Sequence, residues 1–425
     1  MNLLFKSVVV IAPESSYHNT SVDIHIHNGK IKSIGRGIYI SEEVEVIAIE
    51  GLHVSLGWFD SSVCFFDPGF PERETLEKGL LVAAQSGFTA VASQPNTQPF
   101  TDNSQVVSYL KYIAPHTATA LFPTACLTLS QKGKVLSELY DMHQKGVTSF
   151  GDYKSPIADS NLLKLALQYT QSFNGLVQSY PQDDQIALNG LANEGESATR
   201  LGLKGIPALA EQLRISRDLS ILEYTGGKLH IPTISTEKSV ALIAQAKAKG
   251  LDVTCSVSVN HLLLDDTLLV DYNTDLKVLP PLRTKNDIIA LLKGLEDGII
   301  DMITSDHCPV DIEAKNTEFA NADFGSIGLE TAFSALVGVL SIEVIIEKFT
   351  AGWQRFATPQ YVKPTFNQGA LANLTFFNPS QTYTFTKEHI LSSSKNAALL
   401  DRTFQGKVYG VCANNQWVVN PNYEK

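Results

Sequence analysis

The stretch that decides the fold is Gly57-Trp58-Phe59-Asp60-Ser61-Ser62-Val63-Cys64-Phe65-Phe66-Asp67-Pro68-Gly69. Its apolar residues, among them Trp58, Phe59 and Val63, are typical of a buried β-strand, and Pro68-Gly69 is a turn signal that ends the strand. Near this stretch, at about residue 53, the pattern of the chain changes. We therefore predict that it is the first strand of a second and larger unit.

From residue 53 to residue 365, strand patterns alternate with longer helical patterns. The predicted later strands are 87–92, 119–122 (ended by Pro123), 146–150, 175–179, 229–231, 253–257 and 299–304, and the predicted helices are 75–86, 134–145, 161–173, 206–225, 235–249 and 285–296. About eight strands in such an alternation indicate an α/β fold with a parallel (β/α)8 barrel of the TIM type. A doubly wound open sheet is the alternative, but no Gly-x-Gly-x-x-Gly motif opens the first helix.

Both ends of the chain have short strand patterns. Residues 3–11 and 22–27 are strand-like, Asn28-Gly29 is a hairpin signal, and the β pattern returns beyond about residue 365. Each end alone is too small to bury a useful core. We predict one β-sandwich domain from residues 1–52 and 366–425, beside a barrel domain at 53–365. His25-Ile26-His27 is interpreted as a pair of solvent-side imidazoles on a hairpin rather than as a metal site.

Composition and charge exclude several classes of partner. The 425-residue chain is 44% hydrophobic and has a formal net charge of −11, so no basic face is expected to attract nucleic acid or anionic lipid. The apolar run near the N-terminus is too short to span a bilayer and lacks a cleavage site. Five scattered cysteines without a Cys-x-x-Cys pair predict free thiols in a reducing compartment. We expect a cytoplasmic protein.

Motifs spread over almost the whole chain carry a resemblance to a known family. They are 28–31 (Asn-Gly-Lys-Ile), 67–69 (Asp-Pro-Gly), 94–97 (Gln-Pro-Asn-Thr), 193–196 (Asn-Glu-Gly-Glu), 201–207, 229–231, 260–264, 280–283 (Pro-Pro-Leu-Arg), 304–307 (Thr-Ser-Asp-His), 324–331 and 369–372. In these motifs the chain resembles the dihydroorotases of the amidohydrolase superfamily, of the bacterial type that associates with aspartate carbamoyltransferase. The resemblance implies a barrel with a β-sandwich built from both chain ends, in agreement with the strand pattern.

The same resemblance implies a set of metal-ligand positions. Active members hydrolyse or form a cyclic amide with the help of Zn²⁺, while an Asp at the end of the eighth strand takes the proton. At the ligand positions of the family this chain has Ser62, Cys64, Asp152, Ser179 and Thr233. The family has a pair of carboxylates after the strand that ends at Phe150. This chain has Asp152 and Tyr153 there, so only one of the two carboxylates is left. Hydroxyl groups are poor ligands for Zn²⁺, so we predict that the zinc site is lost and that the protein uses no cofactor.

The positions that would contact substrate are altered in a similar way. Phe66, Leu279 and Val310 stand where the family has Arg, Asn and His. Apolar side chains would leave a substrate carboxylate unpaired at a large desolvation cost. The resemblance implies that three functional positions are retained, which are the catalytic acid Asp306 and, for substrate binding, Asn96 and the backbone of Gly325.

Three functional hypotheses follow. The leading one is a catalytically inactive, dihydroorotase-like protein of pyrimidine biosynthesis that acts as a non-catalytic partner or scaffold, with aspartate carbamoyltransferase as the partner implied by the family. The second is an active cyclic-amide hydrolase with an unusual or absent metal, in which Asp306 is the base. The third is a ligand sensor that uses the apolar barrel mouth. We also expect a homo-oligomer.

Overall fold

The computed structural model describes residues 1–41, 43–114, 117–357 and 363–423. Within these ranges the chain forms eighteen strands, which are β1 (Asn2–Ile11), β2 (Ser21–His27), β3 (Lys30–Gly35), β4 (Glu45–Ile47), β5 (His53–Leu56), β6 (Trp58–Val63), β7 (Phe88–Ser93), β8 (Ala120–Ala125), β9 (Ser149–Phe150), β10 (Leu176–Gln178), β11 (Ala192–Asn193), β12 (Gly205–Ile206), β13 (Lys228–Ile231), β14 (Val253–Ser258), β15 (Met302–Thr304), β16 (Leu374–Thr384), β17 (Thr403–Ala413) and β18 (Gln416–Val419).

The same described residues form thirteen α-helices, which are α1 (Leu76–Gln85), α2 (Ser104–Ile113), α3 (Leu139–Gln144), α4 (Ser160–Thr170), α5 (Asp184–Ala187), α6 (Glu196–Leu201), α7 (Ala208–Thr225), α8 (Glu237–Ala248), α9 (Val259–Leu263), α10 (Lys285–Glu296), α11 (Ile312–Lys315), α12 (Ile342–Thr350) and α13 (Gly352–Arg355). Polar caps fix where several of them begin. Thr284 and Asp287 form a capping box at the start of α10, which satisfies backbone N–H groups that lack a partner within the helix.

The central element is a barrel of parallel strands, which follow one another in the described chain as β6, β7, β8, β9, β10, β13, β14 and β15. The first and last of these strands meet where Val63 pairs with His307 in a parallel bridge. Beside this bridge the Thr304 hydroxyl donates to the Ser62 carbonyl oxygen at 3.1 Å. The predicted (β/α)8 barrel is confirmed, and its geometry brings the carboxyl ends of all these strands to one mouth.

Strands from both chain ends form a second sheet, in the order β18-β17-β16-β5-β1-β2-β3, with β4 paired to β1. Its core contains Phe5 and Phe376, whose ring centroids are 4.0 Å apart, with Trp417 edge-on to both. The β-sandwich predicted from the two ends is therefore present. It includes β5, although the sequence assigned residues from 53 onward to the barrel; the first barrel strand is β6.

Trp58 joins the two units at the start of β6. Its indole stacks on Phe333 at 5.0 Å and packs against Phe349 and Phe377. The preceding residue has to be glycine, because a Cβ at Gly57 would lie 1.9 Å from Oδ1 of Asn373. The chain can therefore pass from the terminal sheet into the barrel within one residue.

Two local predictions were wrong. The strand predicted to end at Pro123 continues to Ala125 as β8, with Pro123 opposite Ser93 of β7; a proline removes one donor but keeps a φ angle that an extended strand can use. The helix predicted over 134–145 begins only at Leu139. The residues before it pair with the segment after β8 instead, since the N–H of Leu129 donates to the Val135 carbonyl at 3.0 Å.

All five cysteines are free and buried, which confirms the predicted free thiols. Among the helices in the described ranges, none combines the length and the apolar character needed to cross a membrane.

Candidate functional site

The backbone at the mouth of the barrel has strained conformations of the kind found at functional sites. Four non-glycine residues there have left-handed backbone conformations, with φ of 60° at Phe66, 52° at Tyr153, 49° at Thr233 and 48° at Asp306. L-residues avoid this region because Cβ approaches the carbonyl oxygen, and a β-branched residue such as Thr233 is disfavoured most. Strain of this kind persists where the surrounding structure enforces it, and it clusters at functional sites.

Lys154 and Asp306 form a buried ion pair in this mouth. The Lys154 Nζ lies 3.0 Å from Oδ2 of Asp306, and the two side chains are only 13% and 7% exposed. The Ser62 hydroxyl donates to Oδ1 of Asp306 at 3.4 Å. Burial lowers the pKa of Lys154, but the Asp306 carboxylate together with Cys308 and Cys64 outweighs burial, so that the pKa of Lys154 lies above its ordinary value. The retained family acid therefore has an internal cation as its partner.

Asp60 supports this arrangement from inside the barrel. Its carboxylate accepts from the N–H groups of Ser62 at 3.0 Å and Ser305 at 2.9 Å, and from the Thr304 hydroxyl. The Thr304 hydroxyl oxygen in turn accepts from the N–H of Asp306 at 3.1 Å. Burial raises the pKa of Asp60 to about 6 against the effect of these hydrogen bonds. Asp60 thus fixes the ends of β6 and β15 relative to each other.

The two first-strand ligand positions contact polar side chains from the loop after β7. The Gln94 amide donates to Oγ of Ser62 at 3.1 Å, and the Asn96 amide donates to Sγ of Cys64 at 3.3 Å. Asn96, predicted to contact substrate, therefore donates to a buried thiol in this structure.

Asp152 is directed to a neighbouring loop. Its carboxylate accepts from the N–H of Thr128 at 2.9 Å and from the hydroxyl of the same residue. Burial raises the pKa of Asp152 to about 6, although these two hydrogen bonds act in the opposite direction. Both carboxylate oxygens are thus used to hold residue 128.

The fifth- and sixth-strand positions also have protein partners. The Ser179 hydroxyl donates to Oδ2 of the buried Asp218 at 2.6 Å. The backbone N–H of Thr233 donates to Oγ of Ser256 at 3.2 Å, and that hydroxyl is also bonded to Nε2 of His230 at 3.3 Å. Burial lowers the pKa of His230 to about 3. The imidazole is neutral at physiological pH and belongs to a buried hydrogen-bond network.

Three of the five ligand positions line one small cavity. The lining residues are Ser62, Gln94, Asp152, Tyr153, Lys154, Gln178, Tyr180, Pro232 and Thr233. The centre of a water-sized sphere can occupy only about 10 Å³ of it, which is space for about one water molecule. A cyclic amide with several ring atoms does not fit into this cavity as it stands.

An apolar cluster lies beside the ion pair. It contains Cys64, Phe66, Cys308 and Val310, with Tyr153 packed against it. A hydrogen bond from Cys64 and the nearby ammonium of Lys154 lower the pKa of the Cys308 thiol, while burial raises that of Cys64. Cys64, Phe66 and Val310 stand where the family resemblance implies a metal ligand, an Arg and a His. In this structure the three side chains therefore pack together in one buried apolar cluster.

Arg73 closes this cluster from outside. Its guanidinium lies 5.0 Å from the centre of the Phe66 ring and 5.4 Å from that of Phe70, within the range of a cation–π contact. It also pairs with Asp311 at 3.2 Å and with Asp323 at 3.0 Å. One side chain thus connects the segment after β6 to the segment after β15.

Glu74 joins the same edge of the barrel to the segment before β17. It is fully buried, and its carboxylate accepts from the N–H of Ser393 at 3.1 Å and from the hydroxyl of that residue at 2.9 Å. Burial raises the pKa of Glu74 to about 7. This acid therefore titrates near neutrality without lying in the central cavity.

Gly325 is needed for packing in this structure. Its φ is 145°, and a Cβ there would lie 2.7 Å from Sγ of Cys308. The family resemblance implies that the backbone of Gly325 binds substrate. In this structure the N–H of Gly325 donates to the Lys277 carbonyl oxygen at 2.9 Å.

His25 and His27 were interpreted as solvent-side imidazoles on a hairpin. In the structure both imidazoles bond to Oδ1 of Asn2. His25 is buried, so it is not on the solvent side.

Sequence reasoning missed Lys154 and the contact between Cys64 and Cys308. The missed signal was a lysine two residues after Asp152 at the end of a barrel strand, where a cation can reach an acid on another strand. The sequence also does not show that Val63 of β6 pairs with His307. This pairing places the next residues, Cys64 and Cys308, side by side.

The donor set at the mouth does not fit the zinc ion that the resemblance implies. Asp306 is paired with an ammonium, Asp152 is used by Thr128, and the remaining ligand positions are hydroxyls and one thiol. Zn²⁺ normally takes three or four His, Cys or carboxylate ligands. Across the residues that the structure describes, no group of three or more His, Cys, Asp or Glu side chains is arranged to hold a metal ion.

Comparison with known proteins identifies the family. Residues 53–239 match the family model described as dihydro-orotase-like. The chain is 35% identical to the dihydroorotase of Geobacter metallireducens over 96% of both chains. It is 38% identical to that of Carboxydothermus hydrogenoformans over 96% of this chain and 95% of the other.

Solved structures show the same fold. The L-hydantoinase of Arthrobacter aurescens superposes with a TM-score of 0.85 over 98% of this chain and 96% of its own, at 21% identity. A D-hydantoinase gives 0.82 over 99% and 95%, also at 21% identity. The end-to-end sequence matches to dihydroorotases at 35% and 38% identity show that the chain belongs to the dihydroorotase family.

Proposed function

We propose that this protein is a catalytically inactive dihydroorotase-like member of pyrimidine metabolism that acts as a non-catalytic partner or scaffold. The observation that carries the proposal is the ion pair between Lys154 and Asp306. A general base has to take up a proton in the reaction, and an ammonium in contact with a carboxylate favours its ionised form over the protonated one. Asp306 is buried, and one oxygen accepts from an ammonium and the other from Ser62.

The donor set supports the same proposal. Hydrolysis of an amide by water requires activation of the water and stabilisation of the negative charge that develops on oxygen. Lys154 is the cation of this mouth, and its charge is already neutralised by Asp306. The hydroxyls of Ser62 and Ser179 are engaged with carboxylates. These groups supply neither an activated water nor a preorganised site for an oxyanion.

The lack of a receptor for the substrate carboxylate is a further argument. Phe66 and Val310 pack in the apolar cluster with Cys64 and Cys308. A carboxylate brought to this cluster would lose its hydration without gaining charged hydrogen bonds, which costs several kcal/mol. The guanidinium of Arg73 is near, but it is paired with Asp311 and Asp323.

The test of inactivity combines metal analysis with an assay in both directions. Protein expressed with added zinc is expected to contain far less than one zinc per chain and to show no formation or hydrolysis of dihydroorotate above a blank. A dihydroorotase from one of the relatives, prepared in parallel, is the positive control. Stoichiometric zinc together with turnover that Asp306→Asn abolishes would establish the alternative, an active hydrolase with Asp306 as base.

The partner is tested separately. Aspartate carbamoyltransferase is proposed because the family type resembled here associates with it. Sizing chromatography of this chain mixed with the transcarbamoylase from the same organism should show a complex larger than either protein. Two unchanged peaks would exclude this partner and leave the result on catalysis untouched.

A further inference from the structure

Cys64 and Cys308 lie side by side where the barrel closes. Val63 pairs with His307 in a parallel bridge, and the N–H of Cys64 donates to the His307 carbonyl oxygen at 2.7 Å. The next residue on each segment is a cysteine, and side chains at equivalent positions of paired strands point to the same face. Neighbouring strands are separated by about 4.8 Å, which is within the Cα separation that a disulfide bond spans.

The side chains belong to the same packing unit, because Cys64 and Cys308 are both members of the apolar cluster at the mouth. Asn96 donates to Sγ of Cys64 at 3.3 Å, and the thiol of Cys308 donates to the Phe324 carbonyl oxygen at 3.9 Å. Gly325 leaves the space that Sγ of Cys308 occupies, because a Cβ there would lie 2.7 Å from the sulfur.

The other thiols have different surroundings. Cys255 lies on the barrel strand β14, where its thiol donates to the Ile299 carbonyl oxygen at 3.6 Å, and burial raises its pKa. Cys308 instead lies beside a second thiol, that of Cys64, in the apolar cluster at the mouth. Sγ of Cys64 already accepts a hydrogen bond from Asn96, so we assign the first oxidation to Cys308 and the role of resolving thiol to Cys64.

We propose that Cys64 and Cys308 form a redox-modification site, a dithiol that hydrogen peroxide converts to an intramolecular disulfide. The sulfur of Cys308 attacks one peroxide oxygen, the O–O bond breaks, and Cys308 becomes a sulfenic acid while the released hydroxide takes the proton of the Cys308 thiol to form water. The sulfur of Cys64 then attacks that of Cys308, the S–O bond breaks, and the second hydroxide leaves as water with the proton of Cys64. The peroxide is reduced to two waters and the two thiols are oxidised.

This bond would connect the end of β6 to the segment after β15. Both segments border the ion pair of Lys154 and Asp306. The site does not require that the protein hydrolyse anything, so its test is independent of the proposed inactivity.

The experiment uses the full chain under native conditions. The protein is exposed to hydrogen peroxide, quenched, denatured in the presence of a thiol-blocking reagent and examined by intact mass and peptide mapping. We expect a loss of two hydrogen masses and a peptide pair joined through Cys64 and Cys308, reversed by a dithiol reductant. Cys255→Ser, which removes a buried thiol elsewhere in the barrel, should form the same link at the same rate.

Single variants of the pair identify the order of events. In Cys64→Ser, Cys308 should be trapped as a sulfenic acid by dimedone, whereas in Cys308→Ser, Cys64 should remain reduced over the same time. Oxidised wild-type protein without the Cys64–Cys308 link would overturn the proposal, and this measurement needs no variant to fold. A link that forms only at the rate of global unfolding, measured by hydrogen exchange, would overturn it too.

Discussion

The Nζ atom of Lys154 lies 3.0 Å from Oδ2 of Asp306, and the side chains of both residues are almost completely buried. The ammonium and the carboxylate come from different barrel strands, so the contact is a product of the fold. Each charge is tolerated in this position because the other is present. This dependence makes the first prediction.

Lys154→Met should lower the free energy of unfolding by about 3 kcal/mol at neutral pH, because it leaves the Asp306 charge buried without its partner. The double variant Lys154→Met with Asp306→Asn should recover most of this loss. Lys293→Met is the control, since that lysine is 72% exposed, and it should change stability by less than about 0.5 kcal/mol. Urea unfolding of wild type, Lys154→Met, Asp306→Asn and the double variant gives the coupling energy, and a value near zero would contradict the pairing.

Introducing histidines at the ligand positions that the family resemblance implies should not by itself create a metal site. In a variant with His at positions 62, 64, 179 and 233, the retained ammonium of Lys154 would repel a divalent cation. Adding Lys154→Met should raise zinc affinity by about 100-fold or more, since charges a few ångströms apart at a partly buried site interact by several kcal/mol. Competition with a chromophoric chelator measures this. Equal affinity of the two variants would show that Lys154 moves away at no cost.

Glu74→Gln should change the pH dependence of stability. The pKa of Glu74 is raised from 4.5 to about 7 in the folded protein, so the folded state binds more protons than the unfolded one between these values. Its contribution to stability is fully present below about pH 4.5 and is lost as the pH rises through 7. At about pH 8 the glutamine variant should therefore be more stable than wild type, by on the order of 2 kcal/mol.

Glu77→Gln is the matched control for this titration. Glu77 lies three residues further along the chain, in the first turn of α1, and is exposed, so its substitution should leave the difference between about pH 5 and pH 8 unchanged. Chemical unfolding at both pH values is sufficient. If Glu74→Gln had the same stability as wild type at both pH values, Glu74 would have to stay ionised in the folded protein.

Thr233→Asn should raise the free energy of unfolding by about 1 kcal/mol. Thr233 has a φ of 49°, which a β-branched residue adopts at a cost and which asparagine tolerates better. Thr233→Val keeps the branch and should give no such gain. If the valine variant were stabilised equally, the effect would come from the side chain's surroundings and not from the backbone.

The sequence was sufficient to predict the barrel and the terminal β-sandwich, because strand and helix periodicities are local signals. It was not sufficient where hydrogen bonds between distant segments determine where a strand or a helix ends. The strand β8 passes through Pro123 because β7 provides a partner, and the residues before α3 pair with the loop after β8 instead of joining the helix.

The candidate site was predictable as a set of positions but not as a set of contacts. The contact of Asn96 and Gly325 with substrate stays a prediction. In this structure the Asn96 amide donates to Sγ of Cys64, and Gly325 leaves the space that Sγ of Cys308 occupies. Lys154 was overlooked because its significance depends on Asp306, which is 152 residues away in sequence and 3.0 Å away in space. Local patterns do not report a distance of this kind.

The contacts of Arg73 have a consequence for molecules that diffuse towards the mouth. Its guanidinium faces Asp311 and Asp323, so one positive charge is set against two negative ones at this rim. Electrostatic steering speeds the arrival of a charged ligand only when the rim carries an excess of the opposite charge. An anion approaching this rim is therefore repelled and not steered, and its encounter rate should rise as added salt screens the repulsion.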